Sequence, residues 1–423
     1  RDSRSRGRAV RQKRTKKLPR KPKWVRPTLP PVPERTPTPP PVRRRHEQRR
    51  RTRTAQKTDV QTGITAGEGS DHCARLAPVA STIATEFDSN VILTATSGYI
   101  GIERVDEDVK QQRQLHSLEY FVGEDSPLKF RVIAADVDNA VPELFADEGH
   151  RVFAACIPPP SSDPSYHKAA EDAADVLEEY RPLFFNEKEP FPQHRRGDFP
   201  VKAFGVSYGG GQEMPKSIYQ TDIDMELVNR IRNMRCFKRL AGHASAAFKT
   251  WAPKLHTMYN EYMLQLQKLV PGLPQNFSNS VFSCCTLNFG PRTTTVEHLD
   301  HKNYIYGWCA VTALGSFDHR IGGHLVLWDL KLLVELPAGW TILIPSAYLR
   351  HSNTILREGD SRYSFTQYTA GGLLRVIDDE GIPRRKMTAA ERKHAQRLQR
   401  ERINTDLNCY STLEELGIVA DDV

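Results

Sequence analysis

The chain has 423 residues, enough for one large domain or two ordinary ones, with 39% hydrophobic residues and a formal net charge of +9. No apolar run approaches the ~18 residues that a membrane-spanning helix needs, so no span is expected. None of the seven Cys falls in a Cys-x-x-Cys pair, which argues against a structural zinc site and for reduced thiols.

The charge is unevenly divided. Residues 1–57 hold 22 Lys and Arg against three acids, Asp2, Glu34 and Glu47, a net +19. The remainder holds 38 bases and 48 acids, a net −10. Residues 1–70 have too few apolar side chains to offset chain entropy, which predicts a disordered basic arm with a polyproline-like middle from Pro27 to Pro41. Two roles fit it: a solubilising spacer, or a nuclear-import signal that also anchors DNA phosphates. The second role predicts a nuclear protein whose DNA binding is sequence-independent and fades with salt.

Past the arm, residues 88–157 suggest short extended pieces and a short helix. Residues 164–183, "PSYHKAAEDAADVLEEYRPL", have helical apolar spacing. The run Gly209-Gly210-Gly211 lacks both G-x-G-x-x-G spacing and a following helix, so it predicts a tight loop rather than a dinucleotide site. Residues 223–269 predict two or more helices, ended by Pro271-Gly272. Residues 281–376 turn strand-rich, with strands expected over His324–Leu330, Leu332–Leu336, Trp340–Pro345, "RHSNTIL" and "RYSFTQY". Residues 384–404 predict a charged basic helix outside the core.

A candidate site lies within the strand-rich region. In a strand, residues i and i+2 share a face, so His298 and Asp300 project together, away from Leu299. Arg362, Ser364, Thr366 and Tyr368 likewise share a face, opposite Tyr363 and Phe365. His351 falls between, 53 residues after His298 and 11 before Arg362. Two imidazoles and one carboxylate with open coordination positions suit a non-haem Fe(II) oxygenase. The open positions can take a 2-oxo acid and O2. The planar fork of Arg362, with Ser364 beside it, matches the far carboxylate of 2-oxoglutarate. Glu297 and His301 alternate away from the His298 face and are expected at the surface or behind the ligands. Arg292, Asp318, His319, His324 and Asp329 are expected to be structural.

In this order and spacing, His298-x-Asp300, His351 and Arg362-x-Ser364 resemble the Fe(II)/2-oxoglutarate dioxygenases. "HLDHKN", "GWTILIPSAYLRHSNT" and "RYSFTQYTAGGL" are similar to the TET/JBP branch in its basidiomycete-fungal, transposon-associated form, as is the upstream "RRGDFPVKAFGVSYGGGQ". The resemblance spans residues 150–376 and implies an α+β fold. Its core would be a double-stranded β-helix, a jelly-roll or cupin-like barrel, over 281–376, with flanking support helices in 71–280. The dioxygenase domain would cover 71–383, leaving 384–423 as a charged helical tail. The implied activity is oxidation of the methyl group of 5-methylcytosine or thymine in DNA, using Fe(II), 2-oxoglutarate and O2, with Asn303 on the target base. The branch also places a His shortly after the Arg-x-Ser strand. Residues 367–372 hold none, so base choice stays open. The same chemistry on protein, RNA or a small molecule, or a catalytically silent nucleic-acid-binding barrel, also remains open.

Overall fold

Periodicity decides the layers of this molecule. The computed structural model describes residues 77–418, apart from 96, 103–113, 161–162, 187–190, 192–193 and 210–211. The basic arm, Gly210 and Gly211 therefore lie outside the described residues. The strands are β1 (Ser81–Ala84), β2 (Arg131–Ile133), β3 (Glu143–Ala146), β4 (Val152–Ile157), β5 (Val201–Ser207), β6 (Lys216–Ser217) and β7 (Cys284–Asn288). They continue as β8 (Cys309–Ser316), β9 (Leu325–Leu327), β10 (Leu332–Val334), β11 (Thr341–Ile344), β12 (His351–Asn353) and β13 (Ser361–Tyr368). The helices are α1 (Leu118–Val122), α2 (Ser165–Phe184), α3 (Asp222–Asn233), α4 (Arg235–Trp251), α5 (Pro253–Leu269), α6 (Gly371–Asp378) and α7 (Ala389–Thr405). None of the described helices is long and apolar enough to cross a membrane.

The result is an α+β architecture with two sheets. Nine strands run in the order β1-β3-β4-β11-β8-β13-β7-β5-β6, and four in the order β12-β9-β10-β2. From β7 onward the chain alternates between sheets: β7 and β8 in the large one, β9 and β10 in the small one, β11 large, β12 small, β13 large. β13 thereby lands between β7 and β8, antiparallel to both.

Alternation along the strands sets two different faces. Cys285 and Leu287 of β7, with Tyr363 and Phe365 of β13, join an apolar cluster with α2, α3 and α4. That cluster exists because α2 repeats Tyr166, Ala170, Ala173, Leu177 and Tyr180 at helical spacing. The other residues of the same strands, Thr286, Asn288, Arg362, Ser364 and Thr366, are polar and also buried. Burying a polar face is costly unless its groups find partners, and this face carries the candidate site.

Two expectations need correction. The strand expected over His324–Leu330 persists only to Leu327, because Lys331 turns left-handed (φ 50°) and Trp328–Leu330 form a 3-10 turn. The helices expected over 223–269, two or more, are three, with Ala252 separating α4 from α5 and Pro253 opening α5. The C-terminal stretch is not wholly a charged tail. None of residues 389–403 is buried, but Tyr410, Leu413, Leu416 and Ile418 enter the main core. Arg402 pins α7 to the body through Asp378 and the Tyr262 hydroxyl (2.7 Å), and also reaches Asp406 at the helix's own end (3.1 Å).

Phe365 is 1% exposed and meets Phe237 and Phe277 edge-on at 5.5 and 5.8 Å. Phe365→Ala should cost about 3–5 kcal/mol, read as a lower denaturant midpoint at unchanged slope. A loss below about 1 kcal/mol would mean that this face is not tightly packed.

Candidate active site

His298 and Asp300 sit between β7 and β8, on a stretch expected to be regular strand. The structure corrects this. His298 and His351 exchange both backbone hydrogen bonds (3.0 and 3.1 Å), but pairing ends there because the Asp300 N–H donates to Ser346 O (2.8 Å). The chain bends at Glu297, whose carboxylate takes Arg350 at 2.9 Å.

The structure nonetheless brings His298, Asp300 and His351 together, with one ligand-type atom from each within 4.8 Å of the others. The two rings lie 4.2 Å apart between centroids, and His351 Nε2 lies 4.0 Å from Asp300 Oδ2. Each Nδ1 is 2.8 Å from a backbone carbonyl, of Val296 and of Leu349. A carbonyl only accepts, so each Nδ1 carries the proton and each Nε2 keeps its lone pair. Burial lowers the pKa of both imidazoles, His298 well below its ordinary value. Burial also raises the Asp300 carboxyl, but His298, Arg196, His351 and Arg195 outweigh it and hold the group at about 2. At neutral pH, two nitrogen lone pairs and one carboxylate face a common point. That donor set suits a divalent transition metal.

Arg362 is 2% exposed and has no carboxylate partner among the described residues. Its Nη1 donates to Thr293 O at 2.9 Å, while Nε has no partner. Burial lowers its pKa to about 10, so the group is still a cation at neutral pH. Gly323 passes so close that a Cβ there would lie 3.1 Å from Arg362 Cδ, and its φ of +76° also favours glycine. Ser364 Oγ accepts from Asn288 Nδ2 (2.8 Å), and Asn288 Oδ1 is buried without a partner. Arg362, Ser364 and Asn288 thus share one buried polar face, on which the guanidinium has no carboxylate partner among the described residues.

A cavity of about 550 Å³ includes Asp300, Thr286, Thr366 and Tyr368 in its lining, and Asn303 stands in its wall. The Asn303 amide donates to Ser346 Oγ at 3.0 Å. Two further wall residues, Arg195 and Arg196, were not singled out from the sequence. They sit on a turn closed by mutual hydrogen bonds of His194 and Gly197, and this turn docks where the Val296 N–H donates to Arg196 O (2.9 Å). Arg195 Nη2 then reaches Asp300 Oδ1 at 2.7 Å. Asn288 was missed too; its only sequence signal is a polar residue two positions from another on an otherwise apolar strand. Gly209 of the glycine run lines the cavity, and Tyr368 stands in the neighbourhood that lacks a His.

The remaining polar candidates are structural. Glu297 pairs with Arg350, which also pairs with Asp329 (2.8 Å). His301 is buried behind the ligands, one of its two expected places, with Nδ1 3.4 Å from Arg195 Nη1. Arg292 donates to Leu356 O (2.6 Å), His324 Nδ1 meets Thr354 Oγ1 (3.0 Å), and His319 lies 3.7 Å from Glu335. Asp318 pairs with Arg320 in its own turn.

No family model matches the chain, and no curated protein matches it. Solved structures resemble it at low similarity. One is NgTET1 in complex with 5mC DNA, at 12% identity and TM-score 0.38, covering 55% of this chain and 77% of that one. A 2OG-Fe(II) oxygenase-family oxidoreductase from Burkholderia pseudomallei gives 14% and 0.29, covering 51% and 85%. OsALKBH1 gives 11% and 0.30, covering 51% and 96%. Similarity at this level does not assign the chain to a family.

The donor set makes a prediction of its own. Co(II) should bind at one equivalent with a visible ligand-field spectrum. Excess metal at about 100 times Kd should stabilise the fold by about 2.7 kcal/mol. Asp300→Ala and His351→Ala should lose both signals; a spectrum unchanged in both variants would place the metal elsewhere.

Proposed function

We propose that this chain is an Fe(II)- and 2-oxoglutarate-dependent oxygenase that oxidises the methyl group of 5-methylcytosine in DNA. The observation that carries the reading is a pair of matched vacancies in charge. A carboxylate and two imidazole lone pairs converge at one place, and a buried guanidinium without a counter-ion lies on β13, two positions along the same face from Ser364 and four from the cavity residue Thr366. Residues 71–383 would form the oxygenase domain, with the winding over 281–376 taken as a double-stranded β-helix.

In this reading His298, Asp300 and His351 hold the iron, and Arg362 with Ser364 takes the far carboxylate of 2-oxoglutarate. The residues present fit both groups: the Nε2 lone pairs are unspent, and the Arg362 Nε and Asn288 Oδ1 atoms lack partners. Iron and cosubstrate would supply the oxidation of an unactivated methyl group by O2, releasing succinate and CO2. The protein's share is positioning. Arg195 engages Asp300 Oδ1, leaving Oδ2, the oxygen nearer His351, for the metal. Ser346 fixes the Asn303 amide, leaving its carbonyl and second N–H for the edge of a base. Thr286, Thr366 and Tyr368 line the remaining wall of the cavity.

A base inside a duplex is out of reach, so the target nucleotide would be flipped into the cavity. The choice of DNA rests on the likeness of "HLDHKN" and "RRGDFPVKAFGVSYGGGQ" to the TET/JBP branch. The basic arm, acting on phosphates and as a nuclear-import signal, would suit a nuclear enzyme.

Incubation with methylated duplex DNA, Fe(II), ascorbate and 2-oxoglutarate should give 5-hydroxymethylcytosine, detected by nucleoside mass spectrometry. His298→Ala should give none. Absence of product from wild-type protein that binds Fe(II) would overturn the choice of substrate.

A further inference from the structure

Many of the partly buried cations among the described residues are paired. Arg151, Arg181, Lys202, Arg230, Arg239, Arg350 and Arg402 all have carboxylate partners. Three cations without such a partner gather at one place. Arg196, Lys302 and Arg375 line the cavity, and none of them has a carboxylate partner among the described residues. Asp300 is the sole carboxylate in that lining, and Arg195 already engages it. Arg375 is half-buried, so leaving it without a carboxylate costs more than leaving a surface lysine so, while Arg196, also half-buried, acts on Asp300 only at longer range than Arg195. Arg375 lies over the Tyr208 ring, 5.7 Å from its centroid, which holds it at the cavity wall. This concentration stands on a body whose residues 58–423 carry a net −10.

The basic surface continues along α7. The inner face of that helix touches Gly98: a Cβ there would lie 3.2 Å from Ile403 and 3.5 Å from Gln399, while Ile100 two residues on lines the cavity. Arg385 and Lys386, just before α7, pair with Glu213, adjacent to the cavity residue Gln212. α7 therefore flanks the mouth. With Arg402 and Ile403 turned inward, Lys393, Arg397 and Arg400 fall at i, i+4 and i+7 on the exposed side. Glu401 contacts Arg397 at 3.7 Å, a pair more than half exposed at both ends and so weakly held.

We infer that these two groups form one track for a DNA strand. Arg196, Lys302 and Arg375 grip the phosphates flanking the nucleotide in the cavity, and the Lys393–Arg397–Arg400 stripe takes the backbone beyond it. The inference rests on the reading of the cavity as a site for a DNA base, and adds which residues hold the backbone.

The test measures affinity by fluorescence anisotropy, using full-length protein loaded with Mn(II). The probes are a methylated single strand of about six nucleotides and a duplex of about 20 base pairs, across a salt series. The variants are R196A/K302A/R375A and K393A/R397A/R400A. The mouth variant should bind both probes at least tenfold more weakly and lower the salt slope by about two to three. The helix variant should lose affinity for the duplex and keep it for the short strand. Replacing the linkages beside the target with neutral methylphosphonates should weaken wild-type binding and leave the mouth variant's binding unchanged. R196K/K302R/R375K, which keeps the charges, should restore affinity and thereby exclude misfolding as the cause. Wild-type affinity and salt slope in both alanine variants would overturn the inference. The oxygenase reading fails separately: wild-type protein would release no succinate from 2-oxoglutarate while the phosphate effects persisted.

Discussion

Arg362 is a cation buried at 2% exposure with no carboxylate beside it among the described residues, on a sheet face where the neighbouring strand positions are also polar. Removing a guanidinium from water without a counter-charge is among the costlier arrangements a fold can hold. The surrounding structure is organised to tolerate it. Thr293 O takes one N–H, the Phe317 ring lies 5.8 Å from the guanidinium carbon, and Gly323 leaves the space that any larger residue would fill. The apolar residues on the reverse of β7 and β13, packed against α2 and α4, supply the burial that offsets the polar side.

The triad shows the complementary imbalance. Its donor atoms are held by the backbone, through Val296 O and Leu349 O on the imidazoles and Arg195 on the carboxylate. Each contact fixes an orientation and leaves one donor atom unspent. A negative site and a positive site buried in one body have two possible relationships. They could neutralise each other directly, or be bridged by a ligand carrying charge of both kinds. Here His351 and Arg195 neighbour Asp300, while Arg362 is left alone. A metal at one end and a dicarboxylate reaching to the other would satisfy both.

The parts of the site legible in the sequence are those whose geometry is local. His298-x-Asp300 and Arg362-x-Ser364 are pairs two residues apart, and period-two alternation predicts what shares a face. That argument assumed a regular strand at His298. The chain pairs there at one residue only, yet the reciprocal bond with His351 was enough to keep the imidazoles together. The helix over 164–183 was legible for the same reason, an apolar repeat read along its length, and those over 223–269 by their Pro271-Gly272 stop. Arg195 and Arg196 were not. They lie about a hundred residues upstream of Asp300 and meet it only because the His194–Gly197 turn docks on Val296. Asn288 required knowledge that β7 pairs with β13. The burial of Tyr410 to Ile418 was hidden by the charged helix before it, whose composition dominates any window that spans both.

If Arg362 holds the far carboxylate of 2-oxoglutarate, as proposed, removing its charge abolishes most of the cosubstrate's affinity. Anaerobic calorimetry of 2-oxoglutarate binding to the Fe(II)-loaded protein and to its Arg362→Met variant tests it most directly. One equivalent should bind wild type, and the variant should lose about 2–5 kcal/mol, roughly 30-fold or more in Kd. The variant without ligand should melt no lower than wild type, since methionine removes an unpaired buried charge. Equal affinity for 2-oxoglutarate in both proteins would contradict that role for Arg362.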